Sequence, residues 1–144
     1  MTLKVELKPG ERIIVGTAVI RNGATRARFH IEGEAPILRE KDILTPATAD
    51  SPAKKIYLAV QLMYLTGDLA AHHEFYFPLV QDFLKAAPSA LPLIADINNR
   101  ILAGDLYKAL KAVRPLIAYE QELIAHATVG ERVFEDSTGD ALAP

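Results

Sequence analysis

The chain has 144 residues, half of them hydrophobic and 24% charged, with a formal net charge of −2 at pH 7. That apolar content excludes a disordered chain and leaves room for one domain or two small lobes. The lack of cysteine excludes disulfides, zinc–thiolate centres and thiol catalysis.

Charge is unevenly spread. Residues 1–45 hold eight basic and six acidic residues, net +2, whereas the rest hold eight basic and twelve acidic, net −4. A mildly basic front permits an anionic partner there, although the molecule as a whole is no polyanion binder by charge. The first residues, MTLKVE, contain no continuous apolar stretch, so no signal peptide is expected. No run of about 18 apolar residues occurs, so no membrane span is expected. A cytoplasmic protein without a membrane partner is the expectation.

In chain order, Leu3, Val5 and Leu7 alternate with Lys4, Glu6 and Lys8, the period of a strand with one wet face. Pro9-Gly10 is a turn. Arg12 to Val15 and Thr17 to Ile20 predict two further short strands, divided by Gly16. Asn22-Gly23 predicts a hairpin into a fourth strand. In that strand Arg26, Arg28 and His30 alternate with Ala27, Phe29 and Ile31. Ile37 to Lys41 reads as a short fifth strand.

Residues 44–52, LTPATADSP, mark a boundary. They end in Asp50-Ser51-Pro52, a helix start in which a capping side chain is followed by a proline near the first turn. The period then becomes helical. Ile56, Ala59, Val60, Met63 and Tyr64 share one stripe. Phe75, Leu79, Phe83 and Leu84 define a second helix, which Pro78 should kink or split. Ser89 is expected to cap a third helix carrying Leu93, Ile94, Ile97 and Ile101. Ala103-Gly104-Asp105 is a stop and a fresh cap. Leu106, Leu110, Val113, Ile117 and Ile124 define a fourth helix, with Pro115 inside it.

The expected architecture is α+β. A small antiparallel β module of about five strands (1–45) precedes about four helices (46–127), with a flexible tail over 128–144. No internal repeat is visible.

Catalytic patterns are lacking. His72-His73-Glu74 puts two histidines about 100° apart on a helix, too divergent to share one ion. The acidic residues of the helices, among them Asp82, Asp96, Glu120 and Glu122, read as solvated faces without a pair spaced for acid–base work. No phosphate-binding glycine loop or nucleophile motif occurs. The expectation is no enzyme, no metal and no cofactor.

Two surfaces remain. The wet face of the β module carries Lys4, Lys8, Arg26 and Arg28, with Arg39 in the fifth strand. Clustered cations of this kind bind phosphates, and guanidinium groups stack on bases. An ordinary solvated sheet face, with Glu6, Glu11 and Glu32 pairing the charges, explains the same residues. On the helices, Phe75-Tyr76-Phe77 covers more than one face, so Tyr76 or Phe77 is a candidate contact for a protein partner.

Four blocks carry a family resemblance: LKVELKPGERIIVGTAVIRNG, EAPILREKDILTP, PAKKIYLAVQLMYL and NNRILAGDLYKALKAVRPLIAYEQELI. Together, from about Leu3 to His126, they resemble the flagellar biosynthesis repressor family FlbT. The resemblance implies a post-transcriptional regulator that associates with the 5′ untranslated leader of flagellin messenger RNA and promotes its decay. It also implies work alongside a second small regulator, FlaF. The β module alone is similar to the RNA-binding regulator CsrA, an intertwined dimer whose first and last strands pair across subunits. That similarity sets Lys8 and Leu7 on two first-strand arginines and Arg39 on an arginine near the last strand. One of the two first-strand cations is therefore missing, the segment before Arg39-Glu40 is about three residues shorter, and the helices have no counterpart. A homo-oligomer, in the simplest case a dimer, is the expectation. The alternative role is a protein-interaction adaptor that binds a flagellar protein through the helical lobe.

Overall fold

The computed structural model describes residues 2–142, with side chains through Ala127. Alternation builds its front. β1 (Thr2–Leu7) pairs antiparallel with β4 (Ala27–Glu32), setting Leu3, Val5 and Leu7 opposite Ile31, Phe29 and Ala27. Opposed residues in an antiparallel ladder share a face, so this two-stranded sheet has one apolar and one polar side. β2 (Arg12–Val15) lies between β3 (Ala18–Arg21) and β5 (Ile37–Arg39) in a second sheet. Only Gly16 and Thr17 separate β2 from β3. Gly16 has φ +63°, which the first position of a type II′ hairpin turn requires. β1 and β5 both find their ladder partners within the chain.

The expected Asn22-Gly23 hairpin is corrected. β3 and β4 lie in different sheets. The Asn22 amide instead donates to the carbonyls of Leu7, Lys8 and Thr25 at 3.1, 2.9 and 2.8 Å, two protons shared among three acceptors. The Asn22 N–H donates to the Glu11 carbonyl at 2.8 Å, and the Gly10 N–H to the Gly23 carbonyl at 3.0 Å. These bonds tie the dipeptide's segment to the β1–β2 turn. Asn22→Ala removes all three donations and is expected to cost about 1–3 kcal/mol. Urea denaturation checks it; an unmoved midpoint would mean that water replaces the amide.

Both sheets feed one core. Val5, Leu7 and Ile13 are buried together, with Val15, Ile31 and Ile37 packed against them. α1 (Pro52–Thr66) starts where its cap predicts: the Ser51 hydroxyl accepts from the Lys54 N–H at 3.3 Å. Ile56, Ala59, Val60 and Met63 are buried as the stripe requires. Three polar residues at i, i+4 and i+7 of this helix bind the segment before it. The Tyr57 hydroxyl donates to the Asp42 carbonyl at 2.6 Å. Gln61 accepts from the Leu44 N–H and donates to the Leu44 carbonyl, both at 2.9 Å. The Tyr64 hydroxyl accepts from the Ile37 N–H at 3.1 Å and donates to its carbonyl at 3.2 Å. α1 accordingly belongs with the strands: the chain divides into compact units at residues 1–80 and 81–144, and the boundary expected at residue 45 lies inside the first.

Three further helices follow: α2 (Leu69–Ala86), α3 (Leu91–Leu102) and α4 (Leu106–Leu142). α4 continues into the stretch expected as a tail, whose side chains lie outside the described residues. α2 and α4 run through Pro78 and Pro115 without being split. Both prolines are exposed, so the carbonyl each one orphans can meet water. The buried positions of α2 are Tyr76, Val80 and Phe83, whereas Phe75 is 67% exposed; the expected stripe is rotated. Ser89 does not cap α3. Its hydroxyl bonds to the Tyr119 hydroxyl, and α3 grows out of a 3₁₀ turn at Pro88–Ala90. α3 and α4 pack on each other, and Ile94, Ile97, Ala109, Val113 and Leu116 are fully buried. Glu120 is buried as well, not on a solvated face, because it extends the stripe of Val113 and Leu116 by one turn.

Candidate nucleic-acid interface

The register of β1 and β4 decides which charges meet. Lys4 stands opposite His30, Glu6 opposite Arg28 and Thr2 opposite Glu32. The apolar partners fill the other face, so these six polar residues share one exposed plate. Lys8 and Arg26 extend the two rows by one residue beyond the ladder, and both are exposed. The structure thus brings together Lys4, Lys8, Arg26 and Arg28 as their alternation predicts.

Arg39 does not join them. It lies on β5 in the second sheet, opposite Ile13, and is exposed there. Its neighbour Glu40 turns to Arg12, at 3.1 Å. On the plate, Arg26 pairs with Glu6 at 3.2 Å. Both partners are solvated, so the pair is worth about 0–1 kcal/mol and yields easily to a phosphate. Among the described residues no ion pair engages Lys4, Lys8, Arg28 or Arg39. The plate therefore keeps cations whose charge is not spent on carboxylates. Lys8 also shapes the turn beyond β1, where its backbone N–H donates to the Glu11 carboxylate at 2.8 Å.

The aromatic candidates separate. Tyr76 is 3% exposed, so it offers no surface to a partner, and burial pushes its phenol pKa far up. Phe77 is exposed, as is Phe75, and the Phe77 ring stacks on His73 with centroids 5.7 Å apart. Three consecutive aromatics span about 200° of a helix, so periodicity alone could not say which one turns inward. Among the described residues no three His, Asp or Glu side chains are placed to hold a metal ion. No helix among them is long and apolar enough to cross a membrane.

Known proteins add the family. The profile described as "Flagellar protein FlbT" matches residues 3–124. A "Probable flagellum biosynthesis repressor protein FlbT 1" of Bradyrhizobium diazoefficiens is 62% identical over 124 residues, covering 85% of each chain. A Rhodopseudomonas palustris protein, "Probable flagellum biosynthesis repressor protein FlbT", is 52% identical over 125 residues, 87% of this chain and 99% of its own. The "Flagellum biosynthesis repressor protein FlbT" of Caulobacter vibrioides is 37% identical over 134 residues, 90% of this chain and 94% of its own. No solved structure matches. With the profile spanning residues 3–124, well over half of the chain, and relatives above 30% identity covering most of it, this protein belongs to the FlbT family of flagellar proteins.

Proposed function

We propose that this chain, a repressor in flagellar regulation, acts by binding the 5′ untranslated leader of flagellin messenger RNA and promoting its degradation. The observation that carries the reading is the β1–β4 plate, where Lys4, Lys8 and Arg28 stand exposed without carboxylate partners among the described residues. Single-stranded leaders present phosphates to lysine and arginine, and bases to flat guanidinium groups. Repression of this kind needs no catalysis by the chain. An occupied leader hinders ribosomes, and cellular nucleases cut the messenger in the cytoplasm. The chain acts as a homo-oligomer in this reading, joined at the outer edge of β3, where Val19 and Ile20 lie exposed on a strand with no outer neighbour among the described residues.

Titration of the purified protein against the flagellin leader tests it, beside a scrambled RNA. Binding should prefer the leader and fall as salt rises, with a log–log slope near −0.7 per phosphate contact. Lys4→Gln with Arg28→Gln should flatten that slope by about 1.4, and Arg39→Ala should act separately because it lies in the other sheet. Equal affinity for leader and scrambled RNA, or affinity indifferent to salt, sinks the reading. A second reading has one specific support: Phe75 and Phe77 are exposed on the same helix. In it the chain docks a flagellar protein such as FlaF there, and RNA effects follow indirectly.

A further inference from the structure

The acidic balance of the back half conceals a basic region. Residues 91–116, which form α3 and the start of α4, hold four basic residues against two acidic ones. The reason they converge is the turn between the helices. α3 ends in a Schellman motif: the Gly104 N–H donates to the Ile101 carbonyl and the Asp105 N–H to the Arg100 carbonyl, both at 3.0 Å. Gly104 takes φ +77°, which a side chain would resist. α4 then begins at once, with Asp105 accepting from the Lys108 N–H at 3.4 Å. The reversal puts the last turn of α3 beside the first turns of α4. Asp96, Arg100, Lys108, Lys111 and Ala112 line one open depression of about 460 Å³.

The charges inside it are loosely held. Arg100 reaches Asp96 at 3.4 Å and Lys108 reaches Asp105 at 3.5 Å, all four side chains well solvated. Such pairs exchange readily for a phosphate. The Lys111 ammonium is not in an ion pair among the described residues. It sits 4.7 Å above the Tyr107 ring instead. That tyrosine remains 41% exposed. Three cations line the depression, and the exposed Tyr107 ring lies under one of them, Lys111; cations for phosphates and a ring for a base are the two ingredients of a single-strand site.

We infer that the α3–α4 depression is a second contact for single-stranded RNA, with Arg100, Lys108 and Lys111 on phosphates and Tyr107 on a base. The inference rests on the leader-binding reading and extends it from the strands to the helices. An acidic polypeptide would meet the same cations but would leave the aromatic ring without a role, so RNA is the occupant the residues favour.

The experiment uses the full chain, the flagellin leader and a short oligouridylate. Four proteins are compared: wild type, Lys4→Gln with Arg28→Gln, the triple Arg100→Gln, Lys108→Gln, Lys111→Gln, and Tyr107→Ala. All replaced side chains lie at the surface, and thermal melts confirm folding. The triple variant is expected to reduce the salt slope for the leader by about 2, and Tyr107→Ala to weaken binding roughly 10-fold or more. Ultraviolet cross-linking of oligouridylate should mark Tyr107 by mass spectrometry. Leader binding by wild type that the triple variant and Tyr107→Ala leave intact overturns the second contact while the β plate stands. Wild type that does not bind the leader at all overturns both. Displacement of bound RNA from the depression by polyglutamate, with no cross-link at Tyr107, would assign it to an acidic protein segment and overturn the proposal.

Discussion

Leu7→Ala is expected to lower stability by about 2–5 kcal/mol. Leu7 is 1% exposed and sits in the cluster with Val5 and Ile13 that both small sheets share. The sheets are short, two and three strands, and too small to be stable alone. Their stability comes from burying apolar faces, so a cavity at the shared centre is felt by both. The missing methyl groups cost their transfer free energy and the unfilled space adds to it. Urea denaturation followed by circular dichroism reads the shift in midpoint at constant slope. A loss below about 1 kcal/mol would mean that the cluster collapses around alanine and is more plastic than its burial suggests.

Gln61→Leu should destabilise the chain by about 2–3 kcal/mol although leucine is the more hydrophobic residue. Gln61 is 4% exposed, and its amide pairs with both backbone groups of Leu44 at 2.9 Å. The geometry imitates a strand partner for a segment that has none. Removing only the side chain leaves an N–H and a carbonyl in a partly buried place, and each unmet group costs about 1–3 kcal/mol. Water reaches part of the site, which keeps the sum near the lower end. Hydrogen exchange at the Leu44 amide should accelerate in the same variant. Unchanged exchange and unchanged stability would show that the loop repacks without the glutamine.

Much of the fold is legible in local chemistry. The alternation of Leu3, Val5 and Leu7 with Lys4, Glu6 and Lys8 foretells a two-faced strand and the polar plate. Ser51-Pro52 foretells the start of α1, and Gly104-Asp105 the break between α3 and α4. These signals work because a turn, a cap or a period is decided within a few residues. The role of Gln61, the Tyr119 partner of Ser89 and the burial of Tyr76 are not legible there, because the partners are distant in sequence or the helix face is ambiguous. The cations of the α3–α4 depression left one trace: Lys108 and Lys111, one turn apart, follow shortly after Arg100. The summed charge of the back half obscured it, since four acidic residues against one basic lie beyond Ala127.

The sequence by itself determined the order and type of the elements, the caps of α1 and α4, the family, and the separation of polar from apolar faces along β1 and β4. Tertiary structure alone decided which strands pair, which face of α2 turns inward, and which cations share a surface. Asn22-Gly23 shows why. As a dipeptide it favours a hairpin, yet here the amide is claimed by two carbonyls of the distant β1 end, Leu7 and Lys8, and by the nearby Thr25 carbonyl. Arg39 shows the same at the level of the site. Its charge resembles that of Lys4 and Arg28, but the pairing of β5 with β2 sets it in another sheet. Local terms amount to a fraction of a kcal/mol to about 2 kcal/mol each, and burial of a shared core outweighs them whenever the two disagree.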